Sequence, residues 1–192
     1  MTTEAGGLIL ASTSPYRREL LARLGLSFSS VAPDFSELPP GSMPAAELVR
    51  HNTLGKARSV ARQYPQARVI ASDQLAVCGD AVLGKPGNHR AAAEQLAFLS
   101  GKAVDFLTGL ALMDNGSEQY ACVPFRVQFR ALATAEIEAY LHADRPYDCA
   151  GSFKSEALGI ALFESMQGDD PTALMGLPLI TLCGWLRPLH TG

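Results

Sequence analysis

The stretch Ala103–Leu132, AVDFLTGLALMDNGSEQYACVPFRVQFRAL, decides how the rest of the chain is read. Two apolar runs rich in β-formers, 103–113 and 118–132, flank Asp114-Asn115-Gly116. Asn-Gly accepts the positive φ angles of a tight hairpin turn, so the runs read as neighbouring antiparallel strands. Elsewhere helices and strands alternate. Alternation alone would favour a parallel sheet; a hairpin in its middle requires a mixed one. The expectation is an α/β fold in one domain over residues 1–192, its mixed sheet flanked by helices.

Toward the N-terminus, AVLGKP (81–86) returns from a Gly79-Asp80 turn after the buried strand ARVIASDQLAVC (67–78). HRAAAEQLAFLSG reads as a helix ended at Gly101. In AAELVRHNTLGKARSVARQY (45–64), Leu48, Val49, Ala57, Val60 and Ala61 have helical spacing, and Pro65 stops the helix. Pro44 opens it, after the Pro-rich loop VAPDFSELPPGSMP (31–44). The first strand is Leu8–Leu10. Ser14 is a good N-cap for the helix that follows, with Pro15 at its first position. Toward the C-terminus come a short helix (134–143) that Thr134 can cap, a Gly/Ser-rich loop (149–159), the strand IALFES (160–165), a loop (167–178) and a closing helix (179–189).

Of 192 residues, 47% are apolar and 18% charged, with a net charge of −3, which disfavours a long nucleic-acid partner. No apolar run reaches the ~18 residues of a membrane span, and no signal peptide is evident, so a cytoplasmic protein is expected. The four cysteines lack CxxC spacing and sit in apolar surroundings, which reads as buried free thiols. The four histidines lack metal-ligand spacing and are given no role.

Four features carry chemistry. Arg17 and Arg18 fall in the first turn of a helix, where a cation opposes the macrodipole. A bound anion would account for them, since helix N-termini and arginines both grip phosphate. Two solvated arginines are the plainer alternative. Asp73 follows the apolar run Val69-Ile70-Ala71, which places it at a strand mouth or makes it an expensive buried charge. It suits metal ligation or proton transfer, or else a capping role. Lys85 is held between Gly84 and Pro86, as suits a phosphate contact, though most lysines are merely solvated. Glu156 lies in a loop of small residues that lets a ligand approach closely; an ordinary exposed Glu is the alternative. Lys56 reads as a snorkelling lysine on its helix, and Glu37 is equally anonymous. Walker A, GxGxxG, GxSxG and HExxH motifs are all absent.

Taken in order, LILASTSPYRRELL, Glu37, Lys56, IASDQ, LGKP, CAGSFKSE and MGLPL resemble the Maf family of nucleotide pyrophosphatases, from about Leu8 to Leu186. That resemblance implies an elongated mixed sheet with helices around a central cleft, similar to inosine triphosphate pyrophosphatases. It implies cleavage of a nucleoside triphosphate between the α- and β-phosphates with a divalent cation, Mg²⁺ or Mn²⁺, often by a homodimer. By position, Ser12, Arg17, Arg18, Lys56 and Lys85 would hold phosphates, Glu37 and Asp73 would serve the metal, and Asp73 would accept the proton.

Members acting on thymidine and uridine triphosphates read SPRR, with a glutamine at the position of Glu156 and often "DT" at Asp73-Gln74. Tyr16, Gln74 and Glu156 instead resemble the branch hydrolysing 7-methyl-GTP, though its familiar members carry tryptophan where Tyr16 stands. An electron-rich ring attracts the cationic N7-methylated base, and a carboxylate accepts from guanine N1–H and its amine. The alternatives are the thymidine/uridine triphosphate activity, a nucleotide-binding regulator of cell division, and a cap remover acting on RNA.

Overall fold

The computed structural model describes residues 7–186. Strand β1 (Leu8–Ala11) pairs in parallel with both β2 (Phe28–Val31) and β3 (Arg68–Cys78). β4 (Ala81–Leu83) turns back antiparallel onto the far end of β3. The hairpin is present as β5 (Ala103–Asp114) and β6 (Ser117–Phe129). Its turn residues Asn115 and Gly116 take φ of 47° and 82°, as a two-residue hairpin loop demands. β7 (Phe163–Gln167) pairs antiparallel with β6, with a bulge at Gln128/Phe129. The strand order is β2-β1-β3-β5-β6-β7, with β4 beside β3, so the fold is α/β with a mixed seven-stranded sheet.

Six helices accompany it among the described residues: α1 (Pro15–Ala22), α2 (Ala45–Gln63), α3 (His89–Leu99), α4 (Thr134–Asp144), α5 (Pro171–Leu174) and α6 (Leu179–Leu186). Ser14 caps α1 by accepting from the Arg17 N–H at 3.4 Å, and Pro15 takes the first helical position as its fixed φ favours. Thr134 is not the cap of α4. Ala133 holds that position, and the Glu136 carboxylate reaches back to accept its N–H at 2.8 Å.

The stretch 160–165 is not one strand. Leu158–Leu162 form a 3₁₀ turn, and β7 begins only at Phe163. β2 is a strand that the pattern of hydrophobic residues did not announce, since Ser29 and Ser30 dilute its apolar content. The part of the expected last helix beyond Leu186 lies outside the described residues. All four cysteines are free, but only Cys78 is buried and Cys122 is exposed, so the expectation of four buried thiols fails.

The chain gathers into two compact units. The first comprises residues 7–74, 108–123 and 170–186; the second comprises 75–107 and 124–169. In the first, alternate residues of β1 and β3 enter opposite cores, as the two-residue period of a strand dictates. Leu10 and Ile70 join Leu20, Leu21, Leu177 and Leu182 on one face. Ile9, Val69 and Ala71 join Leu54, Ala57 and Val60 of α2 on the other. Near-continuous apolar strands fit a sheet covered on both sides. In the second unit, Phe106, Phe129, Phe153 and Phe163 form an edge-to-face cluster with centroids 4.8–5.6 Å apart.

Candidate active site

Asp73 is not at the mouth of its own strand. It lies mid-way along β3, 6% exposed, and is the costly buried charge of the two alternatives. The neighbouring strand β1 nevertheless ends at Ala11, and its pairing with β3 runs only to Leu10 opposite Ile70. Asp73 therefore sits just past the C-terminal end of β1, where α/β sheets collect ligands.

Its charge is met by Lys56. The ammonium Nζ lies 2.7 Å from Asp73 Oδ1 and 2.6 Å from Glu37 Oε1. Lys56 is buried on α2, so it does not snorkel to the surface; it clamps two carboxylates that are 36 residues apart in the chain. In this structure its ammonium is engaged by acids rather than offered to solvent.

Further residues build this cluster, and one of them carried a signal in the sequence. Gly55 is a glycine in the middle of a helix, a choice that costs about 1 kcal/mol against alanine. A Cβ there would collide with the ring of Phe35, which packs against α2 and lies 5.7 Å from the His51 ring. Buried Asn52 fastens the same loop by accepting the Leu38 N–H at 3.1 Å. Phe35 and Leu38 thus hold Glu37, which lies between them, at the end of Lys56. Gly109 plays a similar part on β5, where a Cβ would strike Thr53 of α2.

Ser12 is buried just after β1 and accepts the Ser14 N–H at 3.1 Å, shaping the turn into α1. Arg17 Nε donates to the Gly176 carbonyl at 2.9 Å, which ties the α1 N-terminus to the segment Met175-Gly176-Leu177-Pro178. Burial pushes the Arg17 pKa down, while the fields of Asp73 and Glu37 push it back up. A cation at this end of a helix is thus explained in part by two nearby acids. Tyr16 is half-buried beside it, and Arg18 is exposed.

Gln74 points to the opposite face of β3 from Asp73. Its amide nitrogen lies 2.9 Å from Thr108 Oγ1 and 2.8 and 3.1 Å from the Ala173 and Leu174 carbonyls. The structure gives it the task of holding the segment that receives Arg17. Ser72 assists, with its hydroxyl 2.7 and 2.8 Å from the Gly109 and Gly176 carbonyls. Asp170 completes the strut. It is 1% exposed and accepts the N–H groups of Thr172 and Ile180 at 2.9 and 2.8 Å. Asp-Pro at 170–171 is an N-cap followed by a first-turn proline, a signal legible in the sequence as a helix start rather than as part of a plain loop.

Lys85 and Glu156 belong to the second unit, and both are exposed. Phe153 anchors the Glu156 loop in the aromatic cluster, and Ser152, at φ 61°, hydrogen-bonds Gln95. Ser155 Oγ donates to Glu156 Oε2 at 3.3 Å. The structure thus brings Glu37, Lys56, Asp73 and Arg17 together in the first unit, and sets Lys85 and Glu156 on surface loops of the second.

Glu37 and Asp73 present hard oxygen donors, and each carboxylate has a second oxygen besides the one on Lys56. That donor set suits Mg²⁺ or Mn²⁺ better than a soft metal.

A family model described as Maf-like protein matches residues 7–189. A protein of Pseudomonas aeruginosa named 7-methyl-GTP pyrophosphatase is 54% identical over 181 residues, covering 93% of this chain and 94% of the relative. Proteins with the same name from Polaromonas sp. and Nitrosococcus oceani are 53% and 52% identical, covering 97% and 91% of this chain and 86% and 89% of theirs. With the motif residues of the first unit gathered at the end of β1 and a match spanning nearly every residue, the chain belongs to the Maf family.

Proposed function

We infer that this protein is a nucleotide pyrophosphatase that hydrolyses 7-methyl-GTP to 7-methyl-GMP and pyrophosphate. One observation carries the reading: a buried Asp73–Lys56 pair, joined by the exposed Glu37 and set beside Arg17, in a chain 52–54% identical to relatives of that name. The reaction adds one water across the α–β anhydride. Asp73 accepts the proton of the attacking water, and Lys56 holds the carboxylate oriented for it. Arg17, with Lys85, carries the phosphates, whose charge a fixed guanidinium meets through paired donors. Arg18 and Ser12 complete the phosphate-binding turn. Mg²⁺ or Mn²⁺ on Glu37 and Asp73 would supply charge for the leaving pyrophosphate and acidify the attacking water.

Tyr16 and Glu156 set the choice of base. The phenol ring stacks on the cationic purine, and the carboxylate accepts from N1–H and the exocyclic amine. Gln74 acts on this choice indirectly, through the segment it holds. No helix among the described residues is long and apolar enough to cross a membrane, and a cytoplasmic setting agrees with four free thiols.

Pyrophosphate release from GTP, 7-methyl-GTP, dTTP and UTP, with Mg²⁺ or Mn²⁺ and without either, tests the reading. 7-Methyl-GTP should lead, and only with metal. Asp73→Asn should lower turnover by about 10²–10⁴ while the protein still binds nucleotide. Preference for dTTP or UTP would move the protein to the pyrimidine branch, and nucleotide binding without turnover would make it a regulator.

A further inference from the structure

The histidines, given no role by their spacing, include two that the fold assembles with a carboxylate. His89 is the first residue of α3; Glu138 and His142 lie one turn apart on α4. His89 Nε2 is 2.8 Å from Glu138 Oε2, and His142 Nε2 is 3.9 Å from the same oxygen. One ligand atom from each residue lies within 4.8 Å of the others, and among the described residues no other trio of His, Cys, Asp and Glu is so placed. Local spacing rules miss the set because His89 stands 49 positions before Glu138.

We propose that His89, Glu138 and His142 form a binding site for a transition-metal dication, Zn²⁺ first, separate from the Glu37–Asp73 cluster. Two imidazoles and one carboxylate with a fourth position left to water is a familiar Zn²⁺ donor set, and a poor one for Mg²⁺. Ligand atoms around a tetrahedral Zn²⁺ stand about 3.3–3.5 Å apart. The 2.8 Å contact must open slightly and the 3.9 Å contact close, which the exposed His142 side chain permits.

A second observation supports the site. His89 Nδ1 lies 2.9 Å from the Tyr147 hydroxyl, whose own hydrogen points to the Leu141 carbonyl at 3.5 Å. With Nε2 on a metal, Nδ1–H donates to Tyr147, the outer-shell hydrogen bond that fixes a ligating imidazole. The Tyr147 carbonyl in turn accepts the Gly87 N–H at 2.8 Å, which holds the approach to His89. A cation here would fasten the start of α3 to the end of α4.

The test uses the full chain, stripped of metal and held in excess Mg²⁺ so that the catalytic carboxylates are occupied. Zn²⁺ is titrated against a chromophoric chelator. Wild type should retain one equivalent. His142→Ala, at an exposed position that leaves the fold undisturbed, should weaken that binding at least tenfold, as should His89→Ala. Tyr147→Phe, which touches no metal, should weaken it about 10–100-fold. Co²⁺ at the site should show tetrahedral visible bands without a thiolate charge-transfer band. Unchanged affinity in His142→Ala and His89→Ala, a thiolate band, or no retained equivalent in wild type would overturn the proposal. These readouts do not involve nucleotide, so they stand or fall apart from the pyrophosphatase reading.

Discussion

Replacing Lys56 by methionine isolates what holds the Asp73 carboxylate. Methionine nearly reproduces the apolar stem of lysine, so little packing is lost and the ammonium alone disappears. Asp73, its side chain 8% exposed, then keeps a buried charge with no counter-ion at 2.7 Å. Removing one partner of a buried pair costs about 3–5 kcal/mol, because the other is left uncompensated. Glu37 adds little, since its side chain is 53% exposed and water can replace the contact.

The reverse change, Asp73→Asn, leaves the ammonium still 2.6 Å from Glu37, and should cost about 1–2 kcal/mol. In the double mutant an amide sits beside a thioether and no charge is stranded. It should therefore lose less than Lys56→Met alone, a coupling of about 2 kcal/mol or more. Urea unfolding of the four proteins at neutral pH measures this, provided the m-values agree. A Lys56→Met variant within 1 kcal/mol of wild type, or singles that add to within about 0.5 kcal/mol, would refute the clamp.

Gly55→Ala should leave stability within about 1 kcal/mol, as better helix propensity offsets the displaced Phe35 ring, yet lower turnover at least tenfold by moving Glu37; unchanged kcat would dissociate that loop from catalysis. Glu156→Gln should lower kcat/KM for 7-methyl-GTP relative to UTP roughly ten- to a hundredfold, from a charge-assisted pair of about 1.5–3 kcal/mol; an unchanged ratio would place base recognition elsewhere. Arg126 donates to both oxygens of Asp105, which holds the Asp105 pKa below its usual value. A depressed carboxylate stabilises the fold above its unfolded pKa of about 3.9 and loses that contribution as pH falls through the lower folded value. Asp105→Asn should thus cost about 0.2–1 kcal/mol at pH 7, given the exposure of both side chains, with the difference vanishing near pH 2. A deficit of the same size at pH 2 in urea titrations would mean the pair acts through something other than charge.

The order of elements was written in local chemistry. Asn115-Gly116 can only turn tightly, Ser14-Pro15 can only start a helix well, and the apolar runs of β1 and β3 need a sheet covered on both faces. These are short-range preferences, so they survive in the bare sequence. The motifs likewise named Asp73, Lys85 and Glu156 as residues to watch.

Partnership was not legible. That Lys56 answers Asp73 and Glu37, that Gln74 holds the Ala173 carbonyl, and that Arg17 rests on Gly176 depend on elements up to 159 residues apart meeting in space. The same holds for His89 and His142, scattered in the chain and 4.9 Å apart between ring centres. Side-chain chemistry fixes what a residue can do. Which partner it does it with is settled by packing, because burial removes water as the competing partner and leaves only the groups the fold brings within reach.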